Sequence, residues 1–270
     1  MADNTRAEIG ILGGSGFEHL LDEADYVDIE TPWGKPAAAI AVGDFAGRRI
    51  AFMPRHGMTH EFPPHTVPYR ANIWAMKELG VDALIGPAAA GSLQRHIAPG
   101  DFVICDQLVD RTKNRGDTFF DGSPSTHISF ADPYCSSLRP LTIEACEAAG
   151  VVTHTAGTVA VIEGPRFSTR SESAHYSEQG WEVINMTQHP EATLAREAEI
   201  CYVNISLITD YDTGFSLDSG IDPVSAAAVI EVFNHNNERV VKALEKLVAA
   251  IPDVSERTCG CPNALDGAQL

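Results

Sequence analysis

Two residue pairs in this chain put charge in unusual settings. Arg55 and His56 follow directly on an apolar run at residues 50–53, a costly place for charge unless something pairs with it. A guanidinium carries a fork of donors suited to phosphate and an imidazole adds another, so these two residues are either an anion site or a salt-bridged strand end. Asp210 and Asp212 close a second apolar run, residues 205–208, within Thr209-Asp210-Tyr211-Asp212. Carboxylates two residues apart share a face if the strand continues. One of them, protonated, would donate to a heterocycle nitrogen while another oxygen accepts from an exocyclic amine. The same spacing also suits the start of a metal site, a glycosidase pair or two solvated aspartates.

Smaller signals accompany these pairs. Gly13-Gly14-Ser15-Gly16 follows an apolar strand and would turn backbone N–H groups toward an oxyanion, with the Ser15 hydroxyl beside them. It lacks both the G-x-G-x-x-G spacing of a dinucleotide turn and the Lys-Ser/Thr of a P-loop. Thr187 stands at a strand-to-helix junction, where its hydroxyl serves either an anion or the helix beginning near Pro190. Phe167 and Met186 would form an apolar slot for a flat ring, or ordinary core. His127 sits in a polar loop, facing a ligand, a partner subunit or solvent.

These groups require elements that place them at strand ends. Apolar runs predict strands at residues 9–12, 37–42, 49–53, 81–85, 101–105, 159–162, 183–185 and 202–209. Helical spacing is expected at 67–79, 138–149, 171–179, 191–197 and 224–250, and residues 86–91 read as a very small apolar turn. The alternation fits an α/β fold: a single domain, residues 1–252, with a twisted mixed central sheet flanked by helices. Residues 253–270 are expected to be an irregular tail containing Cys259-Gly260-Cys261. That motif is a redox pair, half of a metal site or two tail thiols. Metal is the weakest of the three, since no nearby second pair completes four ligands.

Lys and Arg number 19 against 37 Asp and Glu, a net charge of −18. A field of that sign disfavours nucleic acid and anionic membranes, and an anionic substrate would need a local basic cluster. The N-terminus lacks a signal-peptide pattern and no apolar run is long enough to cross a bilayer, so a cytoplasmic location is expected. The other four cysteines, at 105, 135, 146 and 201, show no nucleophile signature and read as packing residues.

Taken together, the motifs resemble the methylthioadenosine phosphorylase branch of the trimeric purine nucleoside phosphorylase family. The similarity runs in order through Ile11-Leu12-Gly13-Gly14-Ser15-Gly16, Arg55-His56-Gly57, Tyr69-Arg70-Ala71-Asn72-Ile73-Trp74-Ala75, Ile162-Glu163-Gly164-Pro165-Arg166-Phe167-Ser168, Asn185-Met186-Thr187 and Thr209-Asp210-Tyr211-Asp212. It implies a nucleoside phosphorylase-like fold and phosphate-dependent cleavage of 5'-methylthioadenosine to adenine and 5-methylthioribose 1-phosphate. No cofactor or metal is implied; phosphate is a co-substrate. The resemblance assigns phosphate to Ser15, Arg55, His56, Thr187 and the backbone of Ala89, and the nucleoside to Phe167, Met186, Asp210 and Asp212. Asp210 and Asp212 would be catalytic. His127 is implied to reach a neighbouring subunit's 5' pocket, in a homotrimer with composite sites. At the position of Asp210 the family's 6-oxopurine enzymes tend to place Asn, so Asp implies a 6-aminopurine. Many relatives carry Thr where this chain has Ala88, which removes a hydroxyl from the phosphate site. The competing readings are a 6-oxopurine or methylthioinosine phosphorylase, and a nucleoside-binding protein without turnover.

Overall fold

The computed structural model describes residues 5–14, 20–21 and 23–270. Its strands are β1 (Ile9–Gly13), β2 (Asp25–Val27), β3 (Ile40–Phe45), β4 (Arg48–Pro54), β5 (Ala83–Ser92), β6 (Phe102–Val103), β7 (Gln107–Arg111), β8 (Thr153–His154), β9 (Thr158–Ile162), β10 (Val183–Asn185) and β11 (Cys201–Asp210). The helices are α1 (Tyr69–Glu78), α2 (Leu138–Ala148), α3 (Arg170–Glu178), α4 (Gln188–Glu197) and α5 (Ala226–Ala250).

One mixed sheet joins the strands in the order β2-β3-β4-β1-β5-β10-β9-β7, with β11 pairing β5 and β6. The long strand β5 is its pivot. Its first half lies between β1 and β11, both parallel to it, and its far end pairs antiparallel with β10 at Ser92–Val183 and Gly91–Ile184. The sheet therefore opens beside residues 88–91, and the ends of β10 and β11 meet there. In α/β sheets such an opening is where ligands sit.

Side-chain alternation divides the core between the two faces of the sheet. Val203, Ile205 and Leu207 of β11 pack with Leu138 of α2 and Phe233, Val240, Leu244 and Leu247 of α5. Tyr202 and Ile208 belong to the opposite cluster with Ile73 and Met76 of α1 and Leu194 of α4. Thr169 starts α3 with a reciprocal capping box to Glu172, and Ser225 caps α5 through the N–H of Ala228. Among the described residues no helix is long and apolar enough to cross a membrane.

Three expectations change in the structure. Residues 86–91 are not a turn but the middle of β5. Their small size serves close packing: a Cβ on Gly86 would stand 2.7 Å from the Tyr202 hydroxyl, and one on Gly91 would stand 2.8 Å from Ile184 Cγ2 and 2.9 Å from Asp210 Oδ1. The strands β2, β7 and β8 are too short or too polar to show an apolar run. Finally, the terminal segment packs on the body. It forms 3₁₀ turns at Val254–Glu256 and Cys261–Asn263, buries Cys261 and Ala268, and accepts a hydrogen bond from His127 N at Ala268 O, 2.8 Å.

That packing also corrects the expectation that Cys259 and Cys261 lack a second thiol pair. Cys135 and Cys201 complete a group of four whose sulfurs all lie within 4.8 Å of one another. The partners are remote in sequence, so only the fold brings them together.

Leu244 is fully buried between α5 and the sheet. Leu244→Ala is expected to cost roughly 2–5 kcal/mol, read as a lower urea midpoint with an unchanged slope.

Candidate active site

A cavity of about 690 Å³ occupies the opening of the sheet. Of the residues singled out from sequence, Arg55, His56, Ala89, Phe167, Met186, Thr187, Asp210 and Asp212 all line it. Ser15 lies outside the described residues, although Gly14 beside it is part of the wall.

At one end the polar groups cluster around Arg55. Arg55 is fully buried, and its Nε and Nη2 donate to the two carboxylate oxygens of Glu191, itself 1% exposed. Tyr202 donates its hydroxyl to Glu191 Oε2 at 2.9 Å. Burial disfavours the guanidinium charge, but Glu191 more than offsets this and the pKa of Arg55 stands above its ordinary value. Arg55 Nη1 instead faces the β5 backbone, 3.3 Å from Pro87 O and from the place a Cβ on Gly14 would occupy.

His56 adjoins this pair. Burial, reinforced by the Arg55 charge, lowers its pKa to about 4, so the ring is neutral at physiological pH. Its Nδ1 stands 2.8 Å from Phe62 O; a carbonyl oxygen only accepts, so Nδ1 carries the proton. Nε2 is then an acceptor, where the sequence suggested a further donor.

Thr187 precedes α4, whose backbone leaves helical geometry at His189 before the helix runs on from Pro190. Asn185 organises this corner: its Oδ1 accepts from Thr187 N and Gln188 N at 2.7 and 2.9 Å, and its Nδ2 donates to Ala89 O at 3.1 Å. The side-chain amide thus ties the end of β10 to β5 and fixes the two small residues of the wall.

The other end is an acid beside apolar surface. Asp210 Oδ2 accepts from the Thr209 hydroxyl and Oδ1 from Asp212 N, each at 2.7 Å. Burial pushes its pKa up to about 6, with these two hydrogen bonds opposing and the Asp212 charge adding to the rise. Asp212 is raised too, by burial, against the hydroxyls of Ser168 and Ser173. Phe167, Met186, Ile184 and Ile162 supply the apolar walls. Gly91 permits the approach, since a Cβ there would meet Asp210.

His127 does not join this cavity. It is exposed and lines a second, polar cavity of about 630 Å³. Sequence reasoning missed Glu191, Tyr202 and Asn185. Glu191 reads as a first-turn helix acid and Tyr202 as a strand apolar, and no local pattern marks either as a partner of Arg55.

The sequence model of the phosphorylase superfamily matches residues 8–249. The chain is 48% identical over 258 residues to the S-methyl-5'-thioadenosine phosphorylase of Pyrococcus abyssi, covering 96% of this chain and 97% of the relative. It is 44% identical over 275 residues to the purine nucleoside phosphorylase of Streptomyces coelicolor, covering 99% and 97%. Among solved structures it is similar to the methylthioadenosine phosphorylase of Schistosoma mansoni in complex with adenine, with a TM-score of 0.91 at 32% identity, covering 98% of this chain and 99% of that one.

Two outcomes follow from the geometry. Glu191→Gln strands the Arg55 charge and is expected to destabilise by roughly 3–5 kcal/mol, whereas the double variant Glu191→Leu with Arg55→Met recovers most of that loss in equilibrium unfolding. The Asp210 carboxyl has a folded pKa of about 6 against an ordinary 3.8, so its contribution to stability is full below the lower value and lost as pH rises through the upper. Asp210→Asn removes that loss, up to about 3 kcal/mol. Its thermal midpoint is expected at or above wild type above about pH 7, the difference vanishing toward about pH 4.

Proposed function

Because the chain belongs to the phosphorylase superfamily, we propose that its cavity performs the phosphorolysis of 5'-methylthioadenosine, giving adenine and 5-methylthioribose 1-phosphate. The protein is an enzyme of the purine nucleoside phosphorylase type, serving purine and methionine salvage. The observation that carries the assignment is the pairing, in one cavity, of a polar end built on Arg55, His56 and Thr187 with a carboxyl group whose pKa is held up to about 6.

Phosphate binds at Arg55, His56, Thr187, Ser15 and the backbone of Ala89. With Nδ1 protonated, His56 accepts the hydrogen of a monoprotonated phosphate at Nε2. Arg55 contributes field more than a grip, because its fork is occupied by Glu191. A phosphate oxygen attacks the anomeric carbon opposite the base, the C–N bond breaks and its electrons pass into the purine. Asp210, protonated, gives its proton to N7, so that adenine leaves neutral and the carboxylate remains. The Thr209 hydroxyl, 3.3 Å from Ala90 O, has an alternative acceptor when Asp210 turns to the base. Asp212 holds the end of β11 through its N–H on Asp210, with Phe167 and Met186 packing on the nucleoside. The reaction needs no cofactor; phosphate is the co-substrate.

We place the working enzyme in the cytoplasm as a homotrimer, His127 of each subunit reaching the neighbouring subunit's 5' pocket. The exposure of His127 outside its own cavity supports this arrangement.

Asp210 also favours the aminopurine reading over the 6-oxopurine one. With methylthioadenosine, adenine and sugar phosphate are expected in equal amounts and only with phosphate present. Asp210→Asn is expected to lower kcat/KM for methylthioadenosine roughly 10²–10³-fold while losing less on methylthioinosine. Adenine release without phosphate, or faster wild-type turnover of the 6-oxo substrate, would refute the assignment.

A further inference from the structure

Cys135, Cys201, Cys259 and Cys261 come from three separate parts of the chain: the approach to α2, the first residue of β11 and the terminal segment. Their sulfurs nevertheless converge, each within 4.8 Å of every other, with Cys201 Sγ and Cys259 Sγ 3.4 Å apart. A zinc ion with sulfur ligands at about 2.3 Å requires a tetrahedron whose S–S edges are roughly 3.8 Å. Three of the four residues are buried and Cys259 is half-buried.

We infer that these four cysteines form a structural zinc site that clamps the C-terminal segment to the sheet. Each thiol gives up its proton on binding, so one Zn²⁺ displaces four protons to solvent and leaves a tetrathiolate of net charge −2. The surroundings suit that charge. Arg257, paired with Asp82 at 2.7 Å, lies two residues before Cys259, and Ser137 Oγ accepts from Cys259 N at 3.1 Å, fixing the Cys-Gly-Cys loop. A metal has a route in, since Cys259 and Cys261 border the polar second cavity.

The site lies apart from the cavity assigned to the reaction, so its role is mechanical. Beyond the clamp the chain continues along the loop that carries His127, where Ala268 O accepts from His127 N at 2.8 Å and Leu270 N donates to Ser125 O at 3.0 Å. Zinc would therefore hold the segment that backs this loop, adding to the packing of Cys259 and Cys261 against the core beneath them.

The test uses the full chain, purified anaerobically with a phosphine reductant and reconstituted with zinc, then freed of loose metal. Elemental analysis is expected to give about one zinc per chain, and X-ray absorption a shell of four sulfurs at about 2.3 Å. Cys259→Ser is expected to lose most of the metal, and Cys146→Ser, buried elsewhere, to retain it. Stripping with a strong chelator is expected to lower the thermal midpoint by roughly 5 °C or more, reversed by zinc. Less than a tenth of an equivalent of zinc in the wild-type protein, a sulfur-poor shell, or intact-mass detection of disulfides among these cysteines after anaerobic purification would each overturn the inference. The wild-type metal content and spectrum decide the matter even if a variant fails to fold.

Discussion

The buried pair of Arg55 and Glu191 is the constraint on which the cavity depends. A guanidinium removed from water at the end of β4 is tolerable only with a carboxylate aligned to its fork. Glu191 lies in the first turn of α4, so satisfying Arg55 fixes where that helix begins and how it meets the sheet. Tyr202 donates to the same carboxylate from β11, drawing a third element into register. The small residues of β5 follow from this: Gly86 carries no Cβ because the Tyr202 ring passes there. One ion pair thus couples β4, α4, β11 and β5 at the point where the sheet opens.

Around that pair the two ends of the cavity acquire opposite character through the same physical cause. Desolvation pushes His56 toward its neutral form and Asp210 toward its protonated form. Each shift enlarges the share of the form that the proposed reaction uses, a neutral His56 with an acceptor nitrogen and a protonated Asp210. The strongly acidic surface makes this local arrangement more consequential, because the long-range field does not favour an anionic substrate. Attraction has to come from groups lining the cavity itself.

The Cys-Gly-Cys segment shows how differently local and remote information behave. Two thiols one residue apart are visible at a glance, but whether they are loose tail groups or half of a site depends on partners 58 and more residues away. The same holds for Glu191, which is indistinguishable in sequence from any acid in a helix's first turn, and for Asn185, whose amide ties Thr187 to Ala89.

By itself the sequence determined the order of the helices and of the apolar strands, because burying a sheet between helix layers imposes periodicity on them; the polar or very short β2, β7 and β8 left no such trace. It also singled out Arg55, His56, Asp210 and Asp212 at strand ends, which the fold gathers in one cavity. The tertiary structure alone decided that residues 86–91 run straight as part of β5, that Nε2 of His56 is an acceptor, and that burial raises the pKa of the Asp210 carboxyl to about 6. It alone brought four cysteines to one point. The physical reason is common to all of these: desolvation, hydrogen-bond partnership and close approach arise between segments far apart in the chain, and no local pattern of residue types encodes the distance between them.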